Sequence, residues 1–342
     1  MNTEEEAVPE LRLNMLTRKW VIIAREKSKK AEDFIRASTK KRHPAFLETC
    51  AFCPGNEEKS PGERYRIHGE KGWSVRVILN KFSVLSTDGD RHRSVSGLKQ
   101  SITGFGTHEI VVESPLHHHT TALMPVEQIE NVLRAYKDRL IECYKDPRVE
   151  HVVVFKNSGH DSGTTIEHSL SQIVGMPVTP FEVRSRNDIA LRFFDNTGEC
   201  LQCRMLAEEL AEDARIVHAS EHFAVLVPYA ALSPFHLWIF PRRHSGTFAD
   251  IRPEEAKDLA AALKTTLAKI YWGLENPDFN YVLRTAQPSA VDSPYLHWYL
   301  SIVPRVSTLT GFELGSGMFI NPLVPEESAT FLKRVKITEY GA

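Results

Sequence analysis

Apolar and polar positions along the chain form two series with the same order of elements. In the first, Val75-Arg76-Val77-Ile78-Leu79 is a short apolar run that reads as a buried strand, and His108-Glu109-Ile110-Val111-Val112-Glu113 reads as another. Val126, Ile129, Val132, Leu133, Tyr136, Leu140 and Ile141 then recur at helical spacing. A third strand, Val152-Val153-Val154-Phe155, precedes a fourth that opens on His168 and runs to Ile173. The second series repeats this order with Phe223–Val227, His236–Phe240, a helix carrying Ala256, Leu259, Leu263, Leu267 and Ile270, then Tyr281–Leu283 and His297–Ile302. Pro253-Glu254-Glu255 gives the second helix a favourable start, with proline and acidic side chains in the first turn. Two copies of a strand–strand–helix–strand–strand unit predict a duplicated α+β fold, each copy an antiparallel sheet with helices packed on one face. The expected division is 1–180 and 190–342, with the boundary between Pro177 and Cys200.

Composition sets the class. A chain of 342 residues suits two packed units of roughly 150 residues each. Its 42% hydrophobic and 25% charged residues are those of a soluble globular protein. A net charge of −2 supplies no global field toward nucleic acid or membrane. Met1-Asn2-Thr3-Glu4-Glu5-Glu6 is acidic and lacks the apolar run of a signal peptide, and no stretch approaches the roughly 18 apolar residues of a membrane span. The expectation is a cytoplasmic protein without nucleic-acid or membrane partners. Residues 27–42, with Lys27, Lys29, Lys30, Lys40, Lys41 and Arg42, read either as a solvated loop or as a phosphate-facing one.

Four of the five cysteines form two Cys-x-x-Cys pairs, Cys50/Cys53 and Cys200/Cys203, while Cys143 sits alone in a helical segment as a small core residue. In a reducing compartment such pairs are more often metal knuckles or redox dithiols than disulfides. The repeat sets each pair beside one strand-end and one strand-start histidine. Cys50, Cys53, His117 and His168 would make one Cys2His2 set, and Cys200, Cys203, His244 and His297 the other. Four nitrogen and sulfur ligands close a tetrahedral zinc site with no open position, so two structural zinc ions per chain are expected. His118 and His119 follow His117 directly, and either could take its place. His108, His160, His218, His222 and His236 are expected to be surface or internally satisfied histidines.

The segment Phe155-Lys156-Asn157-Ser158-Gly159, Gly163-Thr164-Thr165 and His168-Ser169-Leu170-Ser171-Gln172 resembles the signature of the galactose-1-phosphate uridylyltransferase family, of the histidine-triad superfamily. Further matches are Cys50-Ala51-Phe52-Cys53-Pro54-Gly55-Asn56-Glu57, Asn80-Lys81-Phe82, Glu113-Ser114-Pro115-Leu116-His117, and Gly311-Phe312-Glu313 followed by Gly315, Gly317 and Ile320-Asn321-Pro322. These motifs stand in order over about 290 residues, which makes the likeness specific although each alone is weak. The resemblance implies tandem histidine-triad-like repeats, with the nucleotide pocket in the first. It implies a nucleotidyltransferase of sugar 1-phosphates in galactose metabolism, with a nucleotide sugar and a hexose 1-phosphate as its partners. It also implies a homodimer in which the partner subunit completes the sugar pocket.

In that family the run reads His-x-His-x-Gln, and the second histidine attacks the α-phosphorus of a nucleotide sugar in a ping-pong cycle. Here that position is Leu170, which has no lone pair to attack with. The flanking Ser169 and Ser171 point to the opposite face of a strand. By the same resemblance Asn157, Thr165 and Gln172 would contact the transferred phosphate, and Asn80 the ribose or base. Lys27 and Lys30 stand where relatives often carry arginine, keeping charge but losing a bidentate fork. Tyr299 stands where some members carry another histidine, and the branch with a second metal site tolerates an aromatic there.

Three functions therefore compete: a sugar-1-phosphate nucleotidyltransferase with an altered centre, which includes an ADP-glucose-type phosphorylase; a catalytically silent nucleotide-sugar binding protein; and a redox or nucleic-acid role for the cysteine pairs and basic loop. The third has no thioredoxin-like strand–helix–strand context and no basic-aromatic platform behind it.

Overall fold

The computed structural model describes residues 9–24, 29–37, 40 and 43–338. The expected elements are present. In the first half, β3 (Glu63–Gly69), β4 (Gly72–Leu79) and β7 (Thr107–Val112) precede helix α1 (Val126–Cys143), followed by β8 (His151–Ser158) and β9 (Leu170–Met176). In the second, β10 (Ile216–Ala219), β11 (Phe223–Leu226) and β12 (Leu237–Pro241) precede α4 (Pro253–Gly273), then β13 (Phe279–Arg284) and β14 (Tyr299–Pro304). In the large sheet each half thus has one strand more than the sequence pattern predicts, β3 and β10. Short strands β1 (Glu10–Leu13), β2 (Trp20–Ile23) and β15 (Phe319–Asn321) form a separate small sheet, and β5 (Arg93–Ser96) pairs with β6 (Lys99–Ile102) as an isolated hairpin.

The two halves share one ten-stranded sheet in the order β10-β11-β12-β14-β13-β8-β9-β7-β4-β3. Its order reads the same from either edge, five strands to each half, and β8 and β13 pair antiparallel at the centre with Asn280 opposite Asn157 and Val282 opposite Phe155. That pairing is the pseudo-twofold seam of the duplication.

Period-two alternation separates the faces of this sheet. One face carries Val75, Val77, Val111, Val152, Val154 and Ile173 into a core closed by α1 and α4. The α1 residues buried there include Ile129, Val132, Leu133, Tyr136 and Leu140, the stripe that the spacing predicts. Pro253 opens α4, and the Glu255 carboxylate accepts the Arg252 N–H at 2.9 Å, satisfying a donor that the first turn leaves free.

The expectation of helices on one face holds for α1 and α4. Two further helices are present: α2 (Phe181–Thr197) fills the stretch read as a boundary, and α3 (Leu201–Glu212) follows it directly. They lie against the opposite face of the second half, where Leu201 and Leu206 pack with Trp238, Phe240 and Tyr299. Helix α2 shows no continuous apolar face, because Ala190 is the one buried residue among its seventeen. The last helices among the described residues are α5 (Gly311–Ser316) and α6 (Pro325–Arg334).

Candidate functional site

The Cys-x-x-Cys turns and the histidines assemble as the repeat predicts. Cys50, Cys53, His117 and His168 bring their ligand atoms within 4.8 Å of one another, and so do Cys200, Cys203, His244 and His297. In the first cluster Cys50 Sγ lies 3.6 Å from His168 Nδ1, and Cys53 Sγ lies 3.6 Å from His117 Nδ1 and 3.8 Å from His168 Nδ1. In the second, Cys203 Sγ lies 3.2 Å from His244 Nδ1 and 3.3 Å from His297 Nδ1. Ligands spanning a tetrahedral ion with metal–S near 2.3 Å and metal–N near 2.0–2.1 Å would sit about 3.6 Å apart, so both donor sets fit such an ion.

The far nitrogens of three rings face main-chain carbonyls: His168 Nε2 at 2.8 Å from Ser114 O, His244 Nε2 at 2.9 Å from Ser293 O, and His297 Nε2 at 3.0 Å from Pro241 O. These bonds put the proton on Nε2 and free Nδ1 to ligate. Burial holds the His168 imidazole down at about 4, so it stays neutral as a ligand must. Of the three consecutive histidines, His117 is the one in the cluster. His118 is exposed, and His119 Nδ1 bonds the Ser114 hydroxyl at 2.8 Å.

Strand β9 leaves the first cluster and carries Leu170 and Gln172 along one face. Its register sets Leu170 opposite Val112 and Gln172 opposite Ile110 on β7, with Phe155 of β8 opposite Gln172 on the other side. The Leu170 side chain is buried in a small apolar cluster with Trp73, Ile78, Ile110 and Val112. Burial of this kind is worth about 1.5–3 kcal/mol for a leucine.

Behind it, on the opposite face, is a buried polar network. The Lys156 ammonium donates to Glu113 Oε2 at 2.6 Å, to Ser169 Oγ at 3.0 Å and to the Leu170 carbonyl at 3.0 Å. The Tyr136 hydroxyl lies 2.6 Å from both Ser171 Oγ and the Tyr281 hydroxyl. Burial pushes the Glu113 carboxyl up, but the charge and hydrogen bond of Lys156 outweigh it and hold the group below the usual carboxylate range. Ser169 and Ser171 are thus occupied on the core side, as period-two alternation predicts.

Asn80 and Gln172 meet through a residue that the sequence reading set aside. His108 Nε2 lies 2.7 Å from Gln172 Oε1 and 3.0 Å from Asn80 Nδ2, while the Val84 N–H donates to His108 Nδ1 at 3.4 Å. With Nδ1 accepting from the Val84 N–H and from Asn80 Nδ2, which also lies 3.5 Å from it, the ring proton sits on Nε2 and is donated to Gln172 Oε1. His108 was missed because its partner lies diagonally across the β7·β9 ladder, a relation that no local spacing displays.

Asn157 lies on β8 two residues beyond Phe155, and its Oδ1 accepts from Asn280 Nδ2 at 2.7 Å. The loop that follows turns at Gly159, φ 90°, where a Cβ would meet Asp278 at 1.8 Å, so only glycine fits. Asp278 accepts the Asp161 N–H at 2.7 Å and pairs with Lys40 at 2.9 Å, so this member of the basic segment fastens the loop. Lys29 and Lys30 are exposed, and Lys27, Lys41 and Arg42 lie outside the described residues. Thr165 is exposed on the same loop, and among the described residues it makes no hydrogen bond to Asn80, Asn157 or Gln172. Three of the four expected pocket residues therefore lie on one sheet face, and the fourth stands on the loop above it.

A duplicated sheet, two Cys2His2 clusters and three amide side chains, Asn80, Asn157 and Gln172, on one sheet face make up a nucleotidyltransferase scaffold, and the chain belongs to the galactose-1-phosphate uridyl transferase family. The family's N-terminal domain matches residues 1–180 and its C-terminal domain residues 186–335. ADP-glucose phosphorylase of Arabidopsis thaliana is 34% identical over 339 residues, covering 98% of this chain and 95% of that protein. Galactose-1-phosphate uridylyltransferase of Thermotoga maritima is 28% identical over 340 residues, covering 96% and 99%. Among solved structures, the Arabidopsis ADP-glucose phosphorylase with bound ADP-glucose superposes with a TM-score of 0.80 at 33% identity, over 97% of this chain and all of that one.

Proposed function

We propose that this chain binds a nucleotide sugar and a sugar 1-phosphate in the pocket at the end of β9, and that covalent nucleotidyl transfer is disabled at Leu170. The observation that carries the reading is the Leu170 side chain itself, buried among Trp73, Ile78, Ile110 and Val112 where the family places its nucleophile. An alkyl group offers no electron pair to phosphorus. Among the described residues no other nucleophile takes over on that face. His108 is engaged by Gln172, and His160 lies on the loop with 86% of its side chain exposed. A reacting group must lie within about 3 Å of its target.

The remaining donors keep their work. The Gln172 amide nitrogen and the Asn157 side chain would stabilise charge on the phosphate oxygens, and Asn80 would hold the ribose or base. The names of the relatives point to ADP-glucose and to a uridine nucleotide sugar, so ADP-glucose and UDP-glucose are the first ligands to try. In the same reading each Cys2His2 cluster holds one structural zinc ion, the ligand pairs tying loop to strand in each of the two units, 1–180 and 190–342. The protein works as a cytoplasmic homodimer. No helix among the described residues is long and apolar enough to cross a membrane.

The test is calorimetry with ADP-glucose, UDP-glucose, AMP and UMP, run beside assays for exchange between UDP-glucose and galactose 1-phosphate and for phosphorolysis of ADP-glucose. Binding of at least one ligand, weakened by Gln172→Ala and unaccompanied by turnover, is the expected result. Failure of all four to bind to folded protein would remove the pocket.

A further inference from the structure

The duplication places a second set of side chains where the first half has its pocket. With His168 equivalent to His297, Leu170 corresponds to Tyr299 and Gln172 to Ser301. Cross-strand register completes the set. Gln172 and Ser301 stand opposite Phe155 of β8 and Val282 of β13, and Arg284, opposite Tyr299, lies two residues beyond Val282 as Asn157 lies two beyond Phe155. Asn157 therefore corresponds to Arg284. On the other side, Ile110 and Trp238 face Gln172 and Ser301, so His108 corresponds to His236. The hydrogen bond between His108 and Gln172 even has its counterpart: His236 Nε2 lies 2.9 Å from Ser301 Oγ.

The chemistry differs in sign. The first-half pocket is lined by neutral amides, whereas the second-half position holds Arg284 and His236, joined by His151 of β8 and by Arg186 from α2. Arg284 is within electrostatic reach of both histidines and of Arg186. Among the described residues neither guanidinium has a hydrogen bond or ion pair. Arg186 Nε and His236 Nδ1 are buried atoms with no partner. The carboxylate within electrostatic reach of Arg284 is Glu182, which stands 54% exposed at the start of α2 and pairs with Lys19 at 3.2 Å. Two unpaired guanidiniums gathered with two buried imidazoles are costly to keep unless an anion joins them.

We infer that Arg186, Arg284, His151 and His236 form a second anion site, between α2 and the second half of the sheet, that takes a small phosphate-bearing molecule. Guanidinium groups match the tetrahedral oxyanion bidentately, and the unbonded His236 and Arg186 nitrogens supply further donors. Tyr299 and Trp238 are buried against Phe240, so the site offers donors for a phosphate but no free aromatic face for a base. This site is independent of the Gln172 pocket, and a phosphate held here is a ligand, not a reactant.

The experiment uses inorganic phosphate and glucose 1-phosphate as probes, with equilibrium binding and thermal unfolding of the full chain, its Arg186→Gln/Arg284→Gln double variant and Gln172→Ala. The native chain should bind phosphate, and the double variant should bind it at least tenfold more weakly. Gln172→Ala should keep it. Without phosphate the double variant should melt at or above the native temperature, because an uncompensated charge has been removed. Adding phosphate should raise the melting temperature of the native chain alone. Absent phosphate binding, or binding that survives the double replacement, overturns the site. A double variant that instead changes the number of subunits in the particle in solution also overturns it, and assigns the guanidiniums to a carboxylate of a second copy. A nucleotide-sugar signal lost in Gln172→Ala but intact in the double variant keeps the two pockets distinguishable.

Discussion

The Lys156 ammonium donates a 3.0 Å hydrogen bond to the main-chain carbonyl of Leu170. Leu170 is thereby held from behind by a buried charge, while its side chain faces the other side of the sheet. The same ammonium pairs with Glu113, so a fully buried ion pair supports the main chain at position 170 while the leucine side chain packs on the other face.

Removing one partner of that pair should be severe. Lys156→Met leaves the Glu113 carboxylate uncompensated, and a loss of about 3–5 kcal/mol is expected. Lys156→Met combined with Glu113→Gln should recover a substantial part of it. Urea unfolding of the three proteins measures this, and a double variant no better than the single one would show that packing dominates.

His108 should act on ligand binding through Gln172. Replacing it with phenylalanine frees Gln172 Oε1 from its donor and lets the amide turn, so nucleotide-sugar affinity should fall about tenfold or more with little change in stability. His108→Gln, which keeps a donor, should rescue part of the affinity. Calorimetry on the two variants separates positioning from mere packing, because a packing role would not distinguish them.

Zinc content should track the two clusters separately. Protein purified without added metal should carry close to two equivalents, Cys53→Ser and Cys200→Ser close to one each. Chelation should unfold the chain, since ligand clusters of this kind form with the fold. A native value near one would leave one Cys2His2 set as free thiols and imidazoles.

Acid should destabilise the fold through its buried neutral histidines. Burial pushes His236 down to about 3 and His151 to about 4, against about 6.5 for an exposed imidazole. Below pH 6.5 the unfolded chain takes up protons that the folded one refuses, so stability falls as pH drops from about 6.5 toward these folded values. Each such group contributes a slope of up to about 1.4 kcal/mol per pH unit in that window. His236→Asn should flatten the pH dependence of the urea midpoint between pH 6 and 4, measured without phosphate. An unchanged slope would place the acid sensitivity elsewhere.

Much of this was legible in the sequence, for reasons that can be named. The strands flanking α1 and α4 are apolar runs fixed by local spacing, and the two Cys2His2 clusters follow from the repeat because their ligands sit at strand ends. What stayed hidden depends on relations across the sheet or on weak periodicity. His108 and Arg284 acquire meaning only when register sets them beside Gln172 and Tyr299. Strand β3 is largely exposed along Glu63–Gly69, and α2 buries a single residue, so neither shows a clear apolar face. Thr165, expected in the pocket by resemblance, stands exposed on its loop.

The measurement that bears most directly on Leu170 is covalent labelling. The protein is incubated with radiolabelled ADP-glucose and, separately, UDP-glucose, then denatured and counted for nucleotide on the chain. The native protein should carry none. Leu170→His should gain label, at a cost of about 1–3 kcal/mol in stability from placing an imidazole in the cluster of Trp73, Ile78, Ile110 and Val112. Robust labelling of the native chain would reveal another nucleophile and contradict the account.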